Sequence, residues 1–117
     1  MGLIELSDKI ILPQPCENSN PSWFGFLITC KNGIDRNKII QYIEKNGIQT
    51  RMLFAGNLIK HPCFDEMRVK NDGYRIVEEL VNTDVIMNDT FWVGVYPGMT
   101  DKMIDYMINI IKESIKI

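Results

Sequence analysis

WFGFLITCKNGIDRNKIIQYIEKNG, residues 23–47, contains a strand and a helix with both ends of each marked in the sequence. Trp23 to Cys30 is aromatic and β-branched and is bounded by Pro21 before and Asn32-Gly33 after, which predicts a central strand. Asp35 is placed to cap a helix, with Ile34 and Ile39 as its hydrophobic staple. Ile39, Ile40 and Ile43 form its apolar stripe, and Asn46-Gly47 ends it.

Upstream, Lys9 to Pro13 predicts a short strand stopped by proline, and Gln14 to Ser22 is a polar connection. Downstream, Ile48 to Phe54 alternates enough for another strand before Ala55-Gly56-Asn57 turns the chain. His61-Pro62 opens a short helical piece through Met67, and the polar run Arg68 to Gly73 is expected as loop. Tyr74 to Val81 is ambiguous between strand and irregular chain. Asn82-Thr83-Asp84 can cap a short helix over Val85 to Asn88. Phe91 to Tyr96 predicts a further strand ended by Pro97-Gly98. Thr100 then caps a helix with Ile104, Met107 or Ile108, Ile111 and Ile115 at helical spacing. The expected fold is α+β, with helices on one face of a mainly antiparallel sheet, as in ferredoxin-type split βαβ units.

The 117 residues make one domain, 1–117, too short to hold both a cofactor-binding and a substrate domain. Lys and Arg number 13 against 15 Asp and Glu, so the net charge of −2 offers no basic excess for nucleic acid. Cys16, Cys30 and Cys63 are odd in number and irregularly spaced, which points away from a disulfide framework or a zinc site and toward reduced thiols. The amino-terminal residues lack the apolar run of a signal peptide, and no stretch approaches the ~18 apolar residues of a membrane span. A soluble, cytoplasmic protein with no membrane partner is expected.

His61 is the one histidine. Pairing it with Cys63 for nucleophilic catalysis is disfavoured, because residues two apart on a helix do not face each other. Glycine-rich phosphate loops are missing, since Gly94 lies within a strand and Gly98 turns out of it. No catalytic residue and no metal ligand set is therefore expected in this chain. The less ordinary stretch is Gly47 to Asn57, where Arg51, Phe54 and Asn57 would bring a fork donor, a ring and an amide to one rim. Such a rim suits an anionic or sugar-containing ligand; the same residues also fit a solvated arginine on an edge strand.

Three stretches carry a family resemblance: Pro21 to Phe26, Thr50 to Leu58, and Asn82 through Thr100 with its core NDTFWVGVYPGMT at residues 88–100. Together they resemble the C-terminal region of the nucleotide-sugar 3-dehydrases, which include the CDP-4-keto-6-deoxy-D-glucose 3-dehydrases of lipopolysaccharide biosynthesis. These belong to the wider DegT/DnrJ/EryC1/StrS aminotransferase family.

The resemblance implies the small C-terminal domain of a dimeric, fold-type I pyridoxal-phosphate (PLP) enzyme. In such dehydrases pyridoxamine 5′-phosphate (PMP) meets the C4 ketone of a sugar nucleotide, a histidine replaces the usual lysine, and the C3 hydroxyl leaves. Cofactor and base would sit on a large domain outside these residues, so His61 is not that base. Some members hold a [2Fe-2S] cluster served by a partner reductase, but four thiolates cannot come from three cysteines. By position the resemblance implies substrate contact at Arg51 for phosphate or sugar oxygens, Phe54 as an apolar wall and Asn57 as a donor. The same segment could serve a PLP-dependent sugar aminotransferase, or a free-standing binding module without chemistry.

Overall fold

Pairing among strands separated by up to sixty residues builds the sheet. The computed structural model describes residues 2–117. Four strands, β1 (Ile10–Ile11), β2 (Gly25–Cys30), β3 (Thr50–Met52) and β4 (Thr90–Gly94), lie in the order β1-β2-β4-β3. Every adjacent pair is antiparallel, with Ile10 opposite Cys30, Ile28 opposite Phe91 and Arg51 opposite Trp92. β2 and β3 both run against β4 and are therefore parallel to each other. The helix between them, α1 (Arg36–Lys45), makes the crossover of a split β-α-β unit.

Local punctuation accounts for α1. The Asp35 carboxylate accepts from the amides of Asn37 and Lys38, and the helix ends at the Asn46 cap. Ile39, Ile40 and Ile43 are buried, as their spacing predicts. They meet Ile110, Ile111 and Ile115 on and just beyond α4 (Asp101–Ser114), whose first turn is capped by the Thr100 hydroxyl accepting from the Met103 amide. Against these two helices the sheet presents Ile10, Ile28, Cys30, Phe91 and Val93. Fully burying one such side chain contributes roughly 1.5–3 kcal/mol, so this cluster holds the domain together. Tyr42 donates to Glu113 across the helix pair, and Lys112 reaches Glu5 in the single helical turn Ile4–Leu6.

Several elements differ from the sequence reading. Trp23 and Phe24 lie outside β2, which starts at Gly25. The strand expected over 48–54 pairs only at Thr50–Met52, because the Phe54 amide turns back onto the Met52 carbonyl at 2.7 Å. Arg68 to Lys70, expected as loop, complete α2 (Asp65–Lys70), which Arg68–Asp65 and Lys70–Glu66 pairs support along its length. Asp84 does not cap a helix: α3 (Val81–Asp89) starts three residues earlier, after Leu80. Ile104, placed on the buried stripe of α4 by its spacing, is 41% exposed. The carboxy-terminal half of α4 does the packing, and its first turns lie free of the core.

Candidate functional site

β3 is an edge strand, and the segment following it carries the three residues singled out by the sequence. Arg51 is exposed beside Trp92, its partner in register, and its guanidinium donates to the Thr50 carbonyl at 2.9 Å. It borders an open hollow of about 500 Å³ shared with Glu44, Ile48 and Gln49. Most of the five donors of its planar fork stay available to an anion. Phe54 is 79% exposed and its backbone is left-handed, with φ at +50°. A bulky residue rarely adopts this conformation, and strain of this kind clusters where a ligand is clamped.

Asn57 lies elsewhere. It is 2% exposed, and its side-chain amide donates to Asp84 Oδ1 at 2.8 Å while its backbone amide points at Met87 Sδ. The structure thus brings Arg51 and Phe54 to the surface and buries Asn57 against α3. Lys60 closes on the other carboxylate oxygen of Asp84 at 2.7 Å. The Lys60 ammonium and the Asn57 amide hold the Asp84 carboxyl below its ordinary pKa. His61 Nε2 donates to the Ala55 carbonyl, and Arg68 donates to the carbonyls of Ile59 and His61, so the turns Leu58–Lys60 and Pro62–Phe64 are tied down from within.

An aromatic face adjoins this rim. Phe24 packs on Trp92 with ring centroids 5.3 Å apart and planes tilted by 49°, and the Trp92 indole donates to the Met52 carbonyl. The Trp92 ring is half-buried on the sheet face turned away from α1 and α4.

Cys30 is buried under the helices, and desolvation first among causes pushes its thiol up to about 11, so it is inert at neutral pH. Cys16 and Cys63 are exposed and far apart in sequence. Among the described residues, no three His, Cys, Asp or Glu side chains gather as a metal site requires. Nor do these residues fit a pyridoxal-type cofactor. The one histidine is engaged with Ala55, and a mainly apolar cavity of about 500 Å³ between α4, Leu3 and Phe26 is lined by no charged side chain that would hold a phosphate. No helix among the described residues is long and apolar enough to cross a membrane.

The α+β fold, an antiparallel sheet with a split β-α-β unit, matches a domain of aminotransferase-like PLP transferases. Residues 2–112 match the model of the DegT/DnrJ/EryC1/StrS aminotransferase family, and the chain belongs to that family. It is 45% identical over 114 residues to the lipopolysaccharide biosynthesis protein RfbH of Salmonella typhimurium, covering 96% of this chain and 25% of that protein. It is also 45% identical to the dTDP-4-dehydro-2,6-dideoxy-D-glucose 3-dehydratase of Saccharopolyspora spinosa, over 89% of this chain and 22% of that one. The chain therefore spans about a quarter of the length of these relatives. The structure of E. coli GDP-4-keto-6-deoxy-D-mannose-3-dehydratase with bound hydrated PLP superimposes with a TM-score of 0.72 at 23% identity, over 94% of this chain and 28% of that one, which shows the shared fold.

Lys60 and Asp84 escaped the sequence reading as partners. Nothing local marks a contact across 24 residues, and Asp84 stood where a capping residue would stand.

Proposed function

We propose that this chain is the C-terminal small domain of a PMP-dependent dehydrase that removes the C3 hydroxyl of a 4-keto-6-deoxy sugar nucleotide, in lipopolysaccharide or deoxysugar biosynthesis. The observation that carries this reading is the 45% identity, over nearly the whole chain, to a lipopolysaccharide biosynthesis protein and, over slightly less, to a sugar-nucleotide 3-dehydratase. In this reading the cofactor and the catalytic base belong to a large domain, since this chain's own residues build no holder for either. What the chain contributes is binding: Arg51 sets an electrostatic partner against phosphate or sugar oxygens, and Phe54 walls the sugar from water. Asn57 acts indirectly, by fixing the turn that displays them. The active assembly is a cytoplasmic homodimer, and any [2Fe-2S] cluster with its reductase would engage the large domain.

Membership of an aminotransferase family favours one second reading, the small domain of a PLP-dependent sugar aminotransferase. The coding sequence upstream of Leu3 separates the two, because a dehydrase would show histidine and an aminotransferase lysine at the cofactor position. The full-length product is then incubated with PMP and CDP-4-keto-6-deoxyglucose, and loss of the C3 hydroxyl is followed by mass spectrometry. The dehydrase reading predicts loss of one water; amino transfer to C4 without dehydration would replace it by the second reading. An open reading frame that starts natively just before Leu3 would remove both.

A further inference from the structure

Phe54 poses a physical question that its own side chain does not answer. Its backbone is left-handed, which for a bulky L-residue is unfavourable, yet the ring is 79% exposed and burial does not compensate. The conformation must therefore be imposed by the bonds on either side. On the amino-terminal side the Phe54 amide donates to Met52, which is paired in β3 with Phe91. On the carboxy-terminal side the anchors come from a separate element, α3. Gly56 lies against Met87, where a Cβ would come within 2.5 Å of Met87 Cγ, and the Asn57 amide points at Met87 Sδ. Asp84, one turn earlier on the same helix, takes Asn57 on one carboxylate oxygen and Lys60 on the other.

α3 has no buried residue of its own, so the core does not explain its presence. It is nevertheless held firmly: Arg36 of α1 donates to the Met87 carbonyl at 2.6 Å and reaches the Thr90 carbonyl where α3 passes into β4. A helix that adds nothing to the core, but is fixed to the scaffold and grips the turn after the rim, is a support for that turn. We propose that Asp84 is a positioning residue, bridging Asn57 and Lys60 so that residues 54–57 hold Phe54 in its left-handed display beside Arg51. The inference rests on the reading of that rim as the ligand-facing edge.

The test uses the 117-residue chain, isotopically labelled, as wild type and as Asp84→Asn, Lys60→Met and Lys60→Arg. A left-handed residue gives a strong NOE between its own amide and α protons, so Phe54 reports its conformation directly. Wild type and K60R are expected to show the strong Phe54 signal. D84N and K60M should weaken it, and the Asn57 amide should exchange roughly three- to tenfold faster, with the Ile28 and Phe91 amides unchanged as the folding control. A wild-type Phe54 signal and unchanged Asn57 exchange in D84N or K60M, with the core intact, would overturn the proposal. If D84N fails to fold, K60M against K60R decides it, because Lys60 lies at the surface. CDP-glucose binding by the full-length product and its Arg51→Ala variant reports separately on the ligand reading: weaker binding by R51A supports that reading and equal binding overturns it, while the NOE comparison decides the role of Asp84 in either case.

Discussion

Gly25 lies under the indole of Trp92 so closely that a Cβ there would meet Trp92 Cε3 at 2.2 Å. The ring cannot easily yield, since Phe24 covers it and its nitrogen is bonded to Met52. Gly25→Ala is accordingly expected to destabilise by about 1–3 kcal/mol, seen as a lower melting temperature together with loss of the near-ultraviolet signal of the ordered indole. Phe54→Gly should act in the opposite direction. The exposed ring contributes little packing, and relief of the left-handed backbone offsets the added freedom of the unfolded chain, for a gain of up to about 1 kcal/mol in urea unfolding. A clear loss of stability would mean that the ring packs more than its exposure implies. Residue-scale features of this kind were only partly legible. Arg51 and Phe54 stood out because residue type and turn chemistry are local. The burial of Asn57 was invisible, because its partner lies 27 residues along the chain.

At the level of elements, α1 and α4 are both capped by a side chain, yet their first turns differ in what surrounds them. α1 drives Ile39, Ile40 and Ile43 into the core, so Asp35→Ala should lower global stability by about 1 kcal/mol in denaturant titration. The first turn of α4 leaves Met103 and Ile104 more than two-fifths exposed. Thr100→Ala should therefore fray that turn, raising amide exchange near Met103 while the global midpoint hardly moves. A full unfolding penalty from T100A would show that the turn is coupled to the core after all. These two helices, β2 and β4 were readable because caps, proline, glycine and periodicity all agree within a short window. β3 was overextended, since alternation does not register that Phe54 turns back on Met52. α3 was begun too late, since Asp84 resembles a cap and answers instead to Lys60 and Asn57. The order of the strands is written in no single window; it follows from which hydrophobic faces can close over α1 and α4 together.

For the whole molecule, the sheet face opposite those helices displays Phe24, 79% exposed, packed on the half-buried Trp92, and Trp23 before it is 38% exposed. Aromatic surface of that sort brings a domain to a partner. The isolated chain is expected to sediment as a concentration-dependent mixture rather than as one species, and Phe24→Ser to shift it toward monomer. A single monomeric boundary at every concentration would count against an apolar contact face. The sheet order carries one more consequence, and it concerns synthesis. β4, at the interior between β2 and β3, is the last strand to be translated. A chain paused on the ribosome before Thr90 holds β3 with neither edge paired and β2 with one edge bare, joined by a finished helix. Such long-range closure is slow and leaves strand edges open to other chains until it occurs. Truncation upstream of Gly94 should thus yield aggregates rather than a smaller fold, and the window for misassembly closes only when the central strand arrives.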